Sequence, residues 1–167
     1  MNSNAGDLIV RYRDKGILID TNLQLVLPVR NVDRRLVGRI GRTEKYNRED
    51  YERSTDVLGY FNHFIIIPQV LTEAGNLLKR NCPTASTLVD LSMELSRFIH
   101  AGATRESRAL SKRIVTHPAF EELGYADAAI LNAAAGRYLV LADDGPLQGR
   151  AWDSGVDILP FDWLRWS

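Results

Sequence analysis

Four short, mostly apolar runs constrain the fold of this chain more than any other feature of its sequence. They cover residues 16–20, 64–67, 138–142 and 156–159, and each ends at or before an aspartate or a proline. The first run, Ile17-Leu18-Ile19, is unbroken rather than alternating, which is typical of a parallel strand covered on both faces. Helical patterns fill the intervals at residues 69–79, 86–100, 106–115, 126–135 and 147–154. Asn47 is a candidate cap for another helix that continues through Phe61, and Pro28 leaves open the course of a helix that begins after the first run. This alternation predicts an α/β fold with a mostly parallel central sheet.

Length and composition limit the class of protein. The chain has 167 residues, which is enough for one domain spanning residues 1–167, and residues 37–60 are interpreted as an insertion between the first two strands. Equal numbers of basic and acidic residues, 21 of each, argue against a wholly basic nucleic-acid coat. A single cysteine excludes an intrachain disulfide and fits a reducing compartment. With no apolar stretch of about 20 residues and no N-terminal signal pattern, we expect a cytoplasmic protein without a membrane span.

Acidic residues stand where the predicted strands end or where the following helices begin. Because the carboxyl ends of parallel strands share one edge of a sheet, acids from distant segments are expected to converge there. Asp143 directly precedes Asp144 and is a second candidate for the same position as Asp144. The four principal acids are Asp20, Glu73, Asp127 and Asp144.

Converging carboxylates repel one another unless a cation neutralises them. Mg²⁺ or Mn²⁺ suits a few carboxylates plus waters, and such an ion can promote attack of water on a phosphodiester. Simpler interpretations stay open at each position. Asp20 could only cap a helix, Asp127 could only favour the helix dipole, and Asp143-Asp144-Gly145-Pro146 could be a turn.

Four segments of the chain resemble the motifs of PIN-domain nucleases. They occur in the family's order, and the resemblance extends from about Gly16 to Trp163. The segments are Ile19-Asp20-Thr21-Asn22, Pro68-x-x-x-x-Glu73, Leu123-Gly124-x-x-Asp127-Ala128-x-Ile130 and Ala142-Asp143-Asp144-x-x-Leu147. The last segment departs from the family because Ala142 stands where threonine or serine is usual.

The resemblance implies a PIN-like α/β/α sandwich and a metal-dependent endoribonuclease that hydrolyses RNA. Carried over by position, Asp20, Glu73, Asp127 and Asp144 would hold Mg²⁺ or Mn²⁺, with Asp143 assisting. Thr21 and Asn22 match the polar residues that help to hold the family's site. Many family members are the toxin half of bacterial toxin–antitoxin pairs and form homodimers, so a cognate antitoxin protein and a second copy of the chain are the implied partners.

Two other functions are compatible with parts of the sequence. A catalytically degenerate PIN-fold module would bind RNA or a protein without cutting, and Ala142 favours that alternative. A phosphatase that forms an aspartyl phosphate is disfavoured, because Asn22 stands where an acid–base aspartate is needed. Basic residues concentrate at 30–53 and 97–113, where they could line a path for RNA or simply form solvated helix faces.

Overall fold

The computed structural model describes residues 3–32 and 41–165, which form a parallel sheet flanked by helices. The described strands lie in the order β3-β2-β1-β4-β5, and every neighbouring pair is parallel. The predicted α/β fold is therefore confirmed. The strands are β1 (Ile17–Ile19), β2 (Phe64–Ile66), β3 (Thr104–Glu106), β4 (Leu139–Ala142) and β5 (Ile158–Pro160).

Helices follow or precede each strand in the described ranges. A short 3-10 helix, Gly41–Lys45, comes before the third α-helix. None of the described helices is long and apolar enough to cross a membrane. The helices are α1 (Ser3–Tyr12), α2 (Thr21–Val32), α3 (Arg48–Leu58), α4 (Pro68–Asn81), α5 (Ala85–His100), α6 (Ser111–Ile114), α7 (Phe120–Leu123), α8 (Tyr125–Ala134), α9 (Gly145–Asp153) and α10 (Asp162–Arg165).

Both faces of the sheet are buried, as the unbroken first run predicts. Leu18 on β1 packs into a core on one face with residues of α8 and α9, whereas Ile17 and Ile19 pack on the other face with residues of α1 and α3. Because successive side chains of a strand point to opposite faces, three consecutive apolar residues are needed to serve both cores. The result is a layer of helices on each side of the sheet.

The order of the strands creates a crevice at the carboxyl edge between β1 and β4. The chain builds β2 and β3 on one side of β1 and then returns to add β4 and β5 on the other side. Open α/β sheets bind ligands at such a topological switch point, outside the carboxyl ends of the strands. Asp20 follows β1 directly and Asp143 follows β4 directly, so both flank this crevice.

Residues 37–60, predicted as an insertion, lie only partly within the described ranges, because residues 33–40 are outside them. From residue 41 the chain forms the 3-10 helix and α3. Asn47 caps α3 as predicted, with its side chain accepting from the Asp50 backbone and the Asp50 carboxylate accepting from the Asn47 backbone.

The predicted helix over residues 106–115 is wrong in its first half. Residues 104–106 form strand β3, and only Ser111–Ile114 are helical. β3 is an edge strand, so Arg105 and Glu106 stay exposed and give it no apolar signal in the sequence. The backbone of β3 is hydrogen-bonded to β2, and just after the strand the Ser107 N–H donates to the Ile66 carbonyl oxygen. This pairing favours the extended conformation over a helix.

Candidate functional site

Asp20 is a buried carboxylate at the carboxyl end of the central strand. Its side chain is 2% exposed, and it serves as the cap of α2 by accepting the Leu23 backbone N–H on Oδ1 at 2.8 Å. Its Oδ2 accepts the Asp143 backbone N–H at 3.0 Å. Burial raises the pKa of Asp20 to about 6, although the two backbone donors and Lys45 act in the opposite direction. Asp20 is thus both a helix cap and the acid that joins β1 to the end of β4.

Asp143, rather than Asp144, is the neighbour of Asp20 across the crevice. We call Asp20 and Asp143 the inner pair. The Asp143 side chain is 9% exposed, and its Oδ2 lies 3.0 Å from Lys45 Nζ and 3.6 Å from Arg165 Nη2. Lys45 also donates to the Asp143 carbonyl oxygen at 2.5 Å. Lys45, just before α3, and Arg165, in α10, therefore neutralise the negative charges of the inner pair.

Arg165 is fixed by other contacts besides Asp143. Its guanidinium donates to both carboxylate oxygens of the buried Asp50, at 2.9 and 3.2 Å, and to Asp162 at 2.8 Å. It also lies over the ring of Phe161, 4.9 Å from the centroid. Planar bidentate pairing of this kind holds an arginine in one geometry. These contacts hold Arg165 in place beside the inner pair.

The Tyr46 ring lies next to both Lys45 and Arg165. Its side chain is buried, and Lys45 Nζ and the Arg165 guanidinium lie 5.3 and 5.8 Å from the ring centroid. Burial raises the pKa of the Tyr46 phenol far above its usual range, and the negative charges of Asp20 and Asp143 add to that effect. The phenol therefore stays neutral beside the two carboxylates.

Thr21 connects the end of β1 to the start of α4. Its hydroxyl donates to Glu73 Oε2 at 2.7 Å, and Thr21 itself is buried. Glu73 is partly exposed, one turn into α4 as the sequence predicts. Asn22 is also buried, and its Oδ1 accepts no hydrogen bond from the described residues. Residues from the first and second motifs thus meet at the same edge of the sheet.

Glu73 also borders an open groove between the first turns of α4 and α8. The groove has a volume of about 480 Å³ and is lined by Pro68, Gln69, Thr72, Glu73, Asn76, Tyr125 and Ala126. Asp127 follows Ala126 in the first turn of α8 and is partly exposed. We call Glu73 and Asp127 the groove acids. Tyr125 presents a ring at this groove with 41% of its surface exposed.

Asp144 has a different local role from its neighbour Asp143. It caps α9 by accepting the Leu147 backbone N–H on Oδ1 at 3.0 Å. The Leu147 that matches the motif is buried in the core. The segment that could have been a turn is therefore the start of helix α9 with Asp144 as its cap, whereas Asp143 faces Asp20.

The four predicted acids do not form one compact cluster. Within residues 3–32 and 41–165, no group of three or more histidine, cysteine, aspartate or glutamate side chains is placed to hold a metal ion. The contacts instead join Asp143 to Asp20 and Glu73 to Thr21. A site using all four acids would need the groove acids and Asp144 to draw toward the inner pair around a cation.

The inner pair fits a hard divalent cation by its donor chemistry. Its side-chain donors are carboxylate oxygens, and Asp143 Oδ2 is a buried atom that accepts no hydrogen bond of normal geometry from the described residues. Proteins commonly hold Mg²⁺ with one or two carboxylates plus waters and substrate phosphates. Asp20 and Asp143 supply that minimum set, and the crevice gives it a place at the switch point.

Sequence reasoning missed Lys45, Tyr46 and Arg165 as parts of this site. Lys45, for example, contacts Asp143 across 98 residues of sequence. No local sequence pattern could reveal a contact of that kind. The one available signal was the concentration of basic residues at 30–53, to which Lys45 belongs.

No protein-family model matches the sequence, and no curated protein matches it. A functional assignment therefore depends on the residues and geometry described above.

Proposed function

We propose that the chain is a divalent-metal-dependent endoribonuclease with a PIN-like fold. One observation carries the proposal. The buried Asp20 carboxylate at the end of β1 accepts a hydrogen bond from the Asp143 backbone at the end of β4, beside the switch point. Thr21, the residue after Asp20, reaches Glu73 on α4. Parts of three motifs that were recognised in the sequence thus meet at the ligand-binding edge of an α/β sheet.

The order of the strands supports the same proposal. The five parallel strands in the order β3-β2-β1-β4-β5 are consistent with PIN-like folds. Fold alone does not establish activity, because one fold hosts many functions. The acids at the carboxyl edge are what favour nuclease chemistry among those functions.

The residues have separable roles in the proposed reaction. Asp20 and Asp143 would hold Mg²⁺ or Mn²⁺, with Asp144 close by in the chain. Glu73, oriented by Thr21, would bind a second ion or orient the attacking water. When bound, the metal supplies positive charge that stabilises the negative charge developing on the attacked phosphate.

The groove between α4 and α8 provides a path for a single RNA strand next to Glu73. Its open lining combines polar side chains with Pro68, Ala126 and the exposed Tyr125 ring, on which a base can stack. The Tyr125 hydroxyl donates to Ser111 Oγ at 2.7 Å, and its ring packs edge-on against Phe120, which hold the ring in place. Asp127, at the start of the same helix, would face the backbone of an RNA strand bound there.

The proposal is tested by incubating the purified protein with single-stranded RNA. We expect cleavage in Mg²⁺ or Mn²⁺ that EDTA abolishes and re-addition of metal restores. Asp20→Asn should remove the activity, while Asp90→Asn, a change at an exposed acid on α5, should not. Circular dichroism checks that both variants remain folded. Absence of RNA cleavage by the wild-type protein in either metal contradicts the proposal.

A catalytically degenerate module that binds RNA or a protein is the second candidate. It is favoured by Ala142, which provides no hydroxyl at the end of β4, and by the pairing of Asp143 with Lys45 and Arg165. Such a module would bind RNA equally well in EDTA and in Mn²⁺, with no cleavage and no Mn²⁺ binding that depends on Asp20.

The toxin, antitoxin and homodimer expectations form an extension of the nuclease proposal. If the chain acts as a toxin, its expression in bacteria should stop growth, and Asp20→Asn should relieve the arrest. Unimpaired growth with an active, well-expressed protein would remove the toxin assignment and leave the nuclease in place.

A further inference from the structure

We propose that Lys45 is an internal counter-ion of the inner pair, which occupies Asp143 in the metal-free protein and is displaced when a divalent metal binds. This inference rests on the proposed metal site. It identifies the residue that competes with the metal and the contact that must break during binding.

The contacts of Lys45 concentrate on Asp143. Within the described residues its ammonium makes polar contacts only to Asp143, at 3.0 Å from Oδ2 and 2.5 Å from the carbonyl oxygen. The ammonium supplies a positive charge where Asp20 and Asp143 would otherwise repel each other. With its single positive charge, the Lys45 ammonium therefore provides part of the neutralisation that a divalent ion would provide.

The metal and the Lys45 ammonium compete for Asp143 Oδ2. A bound Mg²⁺ sits about 2.0–2.1 Å from each carboxylate oxygen and brings several waters with it. An ammonium 3.0 Å from the same oxygen would then lie within a few ångströms of a doubly charged ion. Repulsion between the two cations at partly buried positions opposes binding of both at once and favours departure of the more weakly held one.

Lys45, and not Arg165, is the cation free to leave. Arg165 is fixed by both oxygens of buried Asp50 and by Asp162. Lys45 has a side chain that is 45% exposed, on a flexible four-carbon stem next to solvent. Metal binding should therefore move the Lys45 ammonium outward and leave the Arg165 contact with Asp50 intact.

The first experiment compares Mn²⁺ affinity by isothermal titration calorimetry. Lys45→Met keeps most of the apolar stem and removes the charge, so we expect Mn²⁺ to bind about fivefold or more tightly than in wild type. Arg48→Met is the matched control, because Arg48 pairs with Glu52 on the exposed face of the adjacent helix α3. Its Mn²⁺ affinity should equal that of the wild-type protein.

The second experiment uses the wild-type chain and needs no substitution. The chain has four lysines, Lys15, Lys45, Lys79 and Lys112. Acetylation of each can be followed by peptide mass spectrometry with and without Mn²⁺. Release from Asp143 should increase the acetylation rate of Lys45 severalfold, while the other three lysines serve as internal controls. In Asp20→Asn, Mn²⁺ should leave the rate at Lys45 unchanged.

The outcomes separate this inference from the proposed function. Binding of Mn²⁺ that depends on Asp20, with unchanged affinity in Lys45→Met and unchanged acetylation of Lys45, overturns the counter-ion role and keeps the metal site. Binding in Lys45→Met but not in wild type would show that Lys45 blocks the site and is not displaced, which overturns both the displacement and metal-dependent activity of the wild-type chain. Failure of Mn²⁺ to bind either protein overturns both proposals.

Discussion

The inner pair and the groove acids lie at the same edge of the sheet but are held in opposite ways. The Asp20 carboxylate is buried and accepts two backbone N–H groups, one of them from Asp143, whose own mostly buried carboxylate contacts Lys45 and Arg165. Glu73 and Asp127 are partly exposed on the first turns of two helices, next to an open groove. The sheet thus fixes the inner pair, whereas the groove acids can adjust to whatever binds between α4 and α8.

This contrast assigns different work to the two regions. A buried pair of carboxylates suits a tightly held cation, and an open groove with polar side chains and an exposed ring suits a nucleic-acid strand. Changes at the inner pair should therefore affect metal binding and catalysis most. Changes at the groove should affect RNA binding more than metal binding.

The largest effect is expected from removing the charge of Asp20. Asp20→Asn should lower the rate of RNA cleavage on the order of 100- to 1000-fold, the scale for losing one group that stabilises charge in the transition state. Asp127→Asn should lower it about tenfold, as for a residue that supports a site rather than forming it. Single-turnover cleavage assays measure both. A larger loss at Asp127 than at Asp20 would reverse the order of importance of the two regions.

The stability of the metal-free protein should depend on pH through Asp20. The folded-state pKa of about 6 lies above the usual aspartate pKa of about 3.9, so the folded state keeps this proton when the unfolded state has lost it. The stabilisation is complete below pH 4 and is lost as the pH rises through 6, by about 3 kcal/mol for a shift of two units. Urea unfolding in EDTA at several pH values measures the loss.

Asp20→Asn provides the control for this pH dependence. The variant lacks the titrating group, so its free energy of unfolding should gain on that of wild type by the same amount between pH 4 and pH 7. If the two curves of unfolding free energy against pH run parallel, then burial does not raise the pKa of Asp20.

Thr21 links the inner pair to the groove acids, and its removal tests that link. Thr21→Val keeps the shape of the side chain but cannot donate to Glu73 Oε2, so Glu73 loses its orientation. We expect a loss of activity of about tenfold, typical of residues that orient metal-site or catalytic groups. Thr55→Val, on the exposed side of α3, is the matched control. Equal activity of the two variants would show that Glu73 works without Thr21.

The smallest effect is expected at Tyr125. In an Asp20→Asn background that cannot cut, Tyr125→Ala should weaken binding of single-stranded RNA about five- to tenfold, because stacking is worth about 1–3 kcal/mol per base. Tyr125→Phe should bind normally. Tyr60→Ala, at a tyrosine that is 55% exposed on another surface, is the control. Fluorescence anisotropy with labelled RNA measures the affinities, and a loss equal for both alanine variants would exclude a specific role for the groove.

The elements predicted correctly are those whose signal is local. Strands β1, β2 and β4 have apolar residues because they are covered on both faces, and Asn47 caps α3 through a pattern four residues long. Strand β3 gave no such signal, since an edge strand can be polar and its identity depends on pairing with β2. Helix α2 continues through Pro28, whose effect on the helix could not be judged without the packing around it.

The site was predictable only in part for the same reason. The position of Asp20 follows from the end of an apolar run. A helix over residues 147–154 was predicted, but the structure begins it at Gly145 with Asp144 as its cap, a role that the sequence analysis did not assign. The neutralisation of Asp143 was not visible, since Lys45 and Arg165 approach it through tertiary contacts between distant segments.

A crystal soaked in Mn²⁺ and measured for anomalous scattering tests the central claim most directly. We expect a peak about 2.0–2.6 Å from carboxylate oxygens of both Asp20 and Asp143, with the Lys45 ammonium moved away from Asp143 Oδ2. A well-diffracting soaked crystal with no anomalous peak at these two carboxylates would contradict the proposed metal site, and with it the nuclease.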